Sequence, residues 1–242
     1  MMKIVAIIQA RMSSSRLPRK VLMDLGGATV LDRVLNRLGR SSLIQELLVA
    51  TTVEPADDAI VEHCGRSGRK VFRGSEQDVL DRYYQAARFM NADVVVRITS
   101  DCPMIDPEVT DAAIRAFLEQ RADYASNALV RTYPRGLDTE VMTVQALERA
   151  WRESTKPYQR EHVTPYIYEN PGQFKLHGIE NATDYSQHRW TLDTPEDLRL
   201  LKAIYERFAG RDDFGWREVL EVVQDDPPLA NINRHVAQKA VH

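Results

Sequence analysis

Ile4-Val5-Ala6-Ile7-Ile8-Gln9-Ala10-Arg11-Met12-Ser13-Ser14-Ser15-Arg16-Leu17-Pro18-Arg19-Lys20 is the stretch that decides the fold of this chain. Its first five residues are apolar without a break, which predicts a strand covered on both faces. Four cations and three serines then fall in one loop, just past that strand's C-terminal end. In open α/β sheets, ligands bind at that end of the strands. Guanidinium forks, an ammonium and hydroxyl donors suit a polyanion such as a nucleoside triphosphate. No glycine precedes Gly26, so the loop is neither a Walker A loop nor a dinucleotide fingerprint. Side chains must hold the anion, and Arg11, Arg16 and Lys20 with Ser13, Ser14 and Ser15 are the candidates. The bland alternative is a solvated basic loop. Its place at the mouth of a buried strand, stiffened by Leu17-Pro18, favours a site.

Working outward, helical and extended patterns alternate. Val30 to Leu38, Asp57 to Cys64 (with Asp58 as its cap), Asp78 to Met90 and Pro107 to Leu118 carry helical spacing. Leu47 to Thr51, Lys70 to Phe72 and the β-branched run Val94 to Thr99 read as strands. This alternation predicts a three-layer α/β/α sandwich around a mostly parallel, Rossmann-like sheet. Past residue 123 the pattern changes. Tyr124 to Asn127 and Leu137 to Met142 read as shorter strands, Tyr158 to Glu169 and Thr194 to Phe208 as helices. With no Pro/Gly/Ser-rich linker, residues 1–242 are expected to form one domain. Residues 1–123 would be its nucleotide half, 124–210 a substrate-side extension with a dimerisation option, and 211–242 a C-terminal helix and tail. Asp225-Asp226-Pro227-Pro228 reads as a surface arm or disorder.

Composition narrows the class. The 242 residues carry 32 basic and 35 acidic side chains for a net charge of −3, so no global field favours nucleic acid or a membrane surface. Cys64 and Cys102 lie far apart without metal-ligand spacing and read as reduced thiols of a cytoplasmic protein. The first apolar run is too short for a signal peptide or a span, and no other segment reaches spanning length.

Two aspartates join the basic loop as candidates. Asp101 follows the strand ending at Thr99 and precedes Cys102-Pro103. It can hold Mg²⁺, which takes one or two carboxylates plus phosphate oxygens, or it can cap the turn. In Asp193-Thr194-Pro195-Glu196-Asp197, the helix start accounts for Thr194, Pro195 and Asp197. Asp193 needs no such role and is the better metal candidate.

In this order the motifs resemble cytidylyltransferases that activate acidic sugars, the 3-deoxy-manno-octulosonate and acylneuraminate enzymes. The likeness is greatest to the branch of the spore-coat polysaccharide biosynthesis protein F. It rests on Ala10-Arg11…Ser13…Arg16-Leu17-Pro18…Lys20, Gly74 to Tyr84, Thr99-Ser100-Asp101-Cys102-Pro103, Gly136 to Val141, Arg160 to Thr164 and Asp193 to Asp197, across residues 3–205. Several ordered motifs are more specific than one. The resemblance implies the nucleotide-diphospho-sugar transferase fold, triphosphate binding by Arg11, Arg16 and Lys20, and Mg²⁺ held by Asp101 and Asp193. Thr99 and Ser100 would read the base. A glutamine common there in the octulosonate enzymes is absent, which leaves CTP against another nucleoside triphosphate open. Arg19 stands where a glycine is often found.

For the sugar, Arg73, Asp78, Arg82, Asn127, Arg135, Asp138, Glu140 and His162 lie in motifs or loops on the expected acceptor side. His162 reads equally as a helix-surface residue, and Glu140 as a solvent-facing strand position. Tyr83 and Tyr84 read as packing. The implied reaction is attack of a sugar hydroxyl on the α-phosphorus of CTP, with Arg16, Lys20, Asp101 and Asp193 as its catalytic groups and a CMP-sugar for polysaccharide synthesis as product. The resemblance also allows a homodimer, with Tyr158, Tyr166, Tyr168 and Phe174 as interface or core. Sugar-1-phosphate nucleotidyltransferases usually open with a Gly-Gly loop, and glycosyltransferases use a D-x-D motif; neither is present at the corresponding place. A non-catalytic nucleotide binder is the alternative of another class.

Overall fold

The opening apolar run forms β1 (Ile4–Gln9), and Ile4 to Ile8 are buried. Burying each such aliphatic side chain is worth about 1.5–3 kcal/mol, which makes this strand the natural centre of a sheet. In the computed structural model, which describes residues 2–238, β1 pairs in parallel with β2 (Glu46–Thr52) and with β4 (Val94–Thr99). Beyond β2 lies β3 (Val71–Gly74), also parallel. On the other side the direction changes. β5 (Tyr124–Ser126) and β6 (Glu140–Thr143) are antiparallel to each other, β6 is antiparallel to β4, and β7 (Leu176–Gly178) is parallel to β5. The strand order is β3-β2-β1-β4-β6-β5-β7.

Alternation along the strands divides the core. Ala6, Ile8, Val96 and Ile98 pack beneath α1 (Val30–Leu38), α4 (Pro107–Gln120), α8 (Pro195–Arg207) and α9 (Trp216–Asp225). Val5, Ile7 and Val95 pack on the other face against α3 (Val79–Phe89) and α5 (Val144–Glu153). The expected sandwich, mixed but mostly parallel, is the architecture observed.

Register places the site. Gln9 faces Thr99, so β1 and β4 end level and release the basic loop and the Asp101 turn side by side. Arg97 faces Glu140 because β6 begins where β4 ends.

Several local expectations are corrected. The helix expected over Tyr158 to Glu169 is two, α6 (Pro157–His162) and α7 (Pro165–Tyr168), broken at Val163 with φ 73°. Pro165 has no N–H to continue the first helix. Asp58 does not cap; it is the first residue of α2 (Asp58–Arg66), and Asp57 stands before it. The Asp57 carboxylate instead accepts from Met12 N at 2.7 Å and from Thr51 Oγ1 at 3.0 Å, tying the basic loop to β2. The strand expected from Leu137 starts only at Glu140, because Asn127 clamps the preceding turn, donating to Leu137 O and accepting from Thr139 N, both at 2.8 Å. The Asp225-Asp226-Pro227-Pro228 segment is ordered. Pro227 opens α10 (Pro227–Asn231), Leu229 is buried, and so is Asn233 beyond it. Phe174 belongs to the core, edge-on to Tyr166.

Candidate active site

The basic loop owes its shape to Met12. This side chain is buried, and its carbonyl accepts from both Ser14 N and Arg19 N at 3.0 Å. Closing the loop this tightly sets Arg19 in the left-handed region, φ 63°. That explains why a glycine would be at home there, since only glycine adopts this backbone without a Cβ penalty. The next residues, Lys20 to Leu22, make one turn of 3₁₀ helix that points Lys20 inward.

Lys20 Nζ reaches three acceptors: Asp193 Oδ1 at 2.9 Å, Asp101 Oδ2 at 3.0 Å and Leu192 O at 2.7 Å. An ammonium has three hydrogens, and all are used. Arg16 adds a second cation, 2.9 Å from Asp193 Oδ2. The two aspartates are brought together by backbone. Asp101 O accepts from Leu192 N at 2.7 Å and, across 90 residues of chain, from Thr191 Oγ1 at 3.1 Å. Burial pushes the Asp101 carboxyl up, yet the Lys20 ammonium and the hydrogen bonds of Thr99, Lys20 and Cys102 hold it below the usual carboxylate range. Burial pulls Lys20 down, but Asp101 and Asp193 keep it above the ordinary lysine value. Both groups are therefore charged at neutral pH. Cys102 is not: burial and the adjacent Asp101 raise its thiol well above the ordinary value, so it offers no thiolate.

Two carboxylates converging on one cationic point could supply the protein's share of a Mg²⁺ site, with phosphate oxygens as the remaining ligands. Among the described residues no group of three or more His, Cys, Asp and Glu converges. A metal at Asp101 and Asp193 would then take its other ligands from phosphate and water, and the donor set fits that demand.

Arg189 was not foreseen. It is buried, donates to Asp193 Oδ2 at 2.9 Å, and donates to Asp197 Oδ1 at 2.9 Å and Oδ2 at 3.1 Å. Its sequence signal was a charge next to buried Trp190, four residues before Asp193.

The other candidates distribute as follows. Arg11 is exposed and lies 4.0 Å from Glu76, to which Ser13 Oγ donates at 2.7 Å. Ser14 Oγ accepts from Leu17 N at 3.4 Å. Thr99 Oγ1 lies 3.3 Å from Cys102 Sγ, and Ser100 is buried with its N–H on Gln9 O. On the proposed acceptor side, Glu140 pairs with Arg97 and accepts from Tyr124 OH at 3.0 Å. Asp138 takes a bidentate pair from Arg131 at 2.6 and 2.7 Å. Asp78 caps α3 through Asp81 N and accepts from Arg160 Nε at 3.0 Å. Arg97 and Arg131 were not foreseen, although a charge inside the buried run Val94 to Thr99 was a visible signal. Arg73 clips the start of α2, donating to Asp58 Oδ1 at 2.7 Å and Thr52 O at 2.8 Å. Arg82 is buried and donates to Ser75 O. Asn127 is the turn clamp described above. Arg135 is half-buried beside Arg189, with which its backbone bridges. His162 is half-buried in the last turn of α6.

With this geometry in place, similarity to known proteins is informative. The family profile described as Cytidylyltransferase matches residues 5–214. An uncharacterized protein of Methanocaldococcus jannaschii is 42% identical over 241 residues, covering 99% of this chain and 98% of that one. The spore coat polysaccharide biosynthesis protein SpsF of Bacillus subtilis is 35% identical, covering 94% of this chain and 96% of its own. A solved cytidylyltransferase from Leptospira borgpetersenii superposes with a TM-score of 0.92 at 37% identity, each chain covered in full.

Proposed function

This chain belongs to the cytidylyltransferase family, and we propose that it transfers the cytidylyl group of CTP to a hydroxyl of an acidic sugar, releasing pyrophosphate. One observation carries this reading: the Arg16 and Lys20 cations of the β1 loop meet the Asp101 and Asp193 carboxylates within 3.0 Å. A site that must bind both a polyanion and a divalent cation needs both signs of charge at one place.

In this reading the sugar oxygen forms a bond to the α-phosphorus. The bond from that phosphorus to the α–β bridging oxygen breaks, and pyrophosphate leaves with the electron pair. The hydroxyl proton is released to solvent. Lys20 exchanges a carboxylate for a phosphate oxygen as the triphosphate enters, and with Arg16 and Arg11 it neutralises the charge that grows on the leaving group. Ser13 and Ser14 donate to the phosphates. Thr99 and Ser100 read the base at the end of β4. Asp101 and Asp193 would hold Mg²⁺, which when bound screens the phosphates and acidifies the acceptor hydroxyl. Of the acceptor candidates, Arg135, His162, Asp138, Glu140 and Asp78 keep that proposed role, whereas Asn127, Arg73 and Arg82 act through the backbone they hold. The product is a CMP-sugar for surface polysaccharide. No helix among the described residues is long and apolar enough to cross a membrane, and the two free, buried thiols suit the reducing cytoplasm.

The test is pyrophosphate release, with Mg²⁺ present, from each of the four nucleoside triphosphates against a panel of acidic and neutral sugars. Release with CTP and an acidic nonulosonate or octulosonate is expected. Release only with another nucleotide, or only with neutral sugar-1-phosphates, overturns the reading.

A further inference from the structure

The C-terminal segment reaches the back of the metal-side carboxylate. Asn233, buried just beyond α10, donates from Nδ2 to Asp197 Oδ1 at 2.8 Å and to Arg189 O at 2.9 Å. Gln238 Oε1 accepts from Arg189 Nη1 at 2.6 Å. Arg189 and Asp197 in turn fix Asp193. Arg189 Nη2 donates to its Oδ2 at 2.9 Å, and Asp197 Oδ2 accepts from Asp193 N at 2.9 Å and Thr194 N at 3.0 Å. Asp197 has no exposure to solvent.

A helix start needs none of this. The capping box of Thr194 and Asp197 already satisfies the first amides of α8. Asn233 and Gln238 add donor and acceptor from 36 and 49 residues along the chain. In the structure the Asp193 carboxylate has Oδ1 turned to Lys20 and Oδ2 to Arg189 and Arg16.

We infer that Asn233 is a positioning residue for Asp193, acting through Asp197 and Arg189, and that the segment after α9 is thereby part of the catalytic apparatus. The inference rests on the proposed role of Asp193 in holding the metal. A ligand fixed by outer partners binds its metal more tightly, and removing such partners costs roughly 10- to 100-fold in metal affinity or activity.

The experiment compares wild-type protein with Asn233→Ala. Mn²⁺ binding is titrated by electron paramagnetic resonance in the presence of a non-hydrolysable CTP analogue, and pyrophosphate release is measured as a function of Mg²⁺ and CTP. Expected for Asn233→Ala are a roughly tenfold weaker Mn²⁺ affinity, a matching rise in the Mg²⁺ needed for half-maximal rate, a lower kcat, and an unchanged KM for CTP at saturating metal. Should Asn233→Ala fold poorly, Gln238→Ala removes an exposed side chain of the same brace and is expected to weaken Mn²⁺ binding in the same direction, by less than Asn233→Ala. Unchanged metal affinity in a folded variant, with only the melting temperature lowered, overturns the inference and leaves the proposed function standing. A wild-type protein that binds Mn²⁺ no better with the CTP analogue than without it overturns the function, and the inference with it.

Discussion

Charge is balanced differently at the two ends of the site. At the proposed nucleotide end it is shared: Lys20 divides its hydrogens among two carboxylates and a carbonyl, and Asp193 accepts from Lys20, Arg16 and Arg189. At the proposed acceptor end it is paired: Arg97 with Glu140, Arg131 with Asp138, Arg160 with Asp78. A shared network loses one contact and keeps the rest, so a phosphate can replace a carboxylate at modest cost. The Arg97–Glu140 pair is nearly buried, and among the described residues neither charge has another charged partner if the other is removed, so it behaves as a fixed wall. In the proposed function, the end that shares charge is the end where the triphosphate would enter and leave.

The strongest way to break this contrast is Arg97→Ala. Arg97 and Glu140 are 11% and 13% exposed at their side chains, and losing one partner of such a pair costs about 3–5 kcal/mol. Urea unfolding should show that loss, and Arg97→Met with Glu140→Gln should recover most of it. A loss no larger than that of a surface pair would mean the acceptor end is not fixed in this way. The next largest effect is expected from Asp101→Asn. Its kcat should fall close to background, whereas its urea midpoint should move less than that of Arg97→Ala, because Lys20 keeps Asp193 and Leu192 O. Near-wild-type pyrophosphate release would remove Asp101 from the reaction. The smallest effect belongs to Arg19→Gly. Relieving the left-handed backbone should add up to about 1 kcal/mol, net of the entropy glycine costs. Melting should rise by a few degrees with kcat/KM unchanged, and a lower melting temperature would show that the Arg19 side chain contributes more than its backbone costs.

The same contrast explains what could be read from sequence. Ile4 to Ile8, the Arg11 to Lys20 loop and Asp101 were legible because each is a local pattern within or just past a strand, and Asp193 because it stands immediately before the capping box of α8. Parallel strands bring such ends together wherever the chain lies in sequence. The acceptor end was legible only in residue types. Asp138 and Glu140 could be named, but Arg97 meets Glu140 through the register of β4 and β6, whose reversed direction leaves no local mark, and Arg131 meets Asp138 through the turn between β5 and β6. β7 is three residues long at a sheet edge, too short for alternation to show. α5 escaped because Thr143 both ends β6 and caps the helix through Ala146 N, leaving no turn residues between them. Arg189 and Asn233 were hidden for another reason. Their roles are hydrogen bonds to residues already explained by a helix start.

The hydrogen bond from Leu192 N to Asp101 O also sets an order of assembly. It closes a long loop, and such closures are costly until the intervening chain has its own contacts. During synthesis, the β1 loop and the Asp101 turn can be in place while Asp193 is still unmade, since domains grow from the N-terminus. A nascent or truncated chain therefore pairs Lys20 with Asp101 alone, and the second carboxylate joins only once the chain beyond β7 has docked.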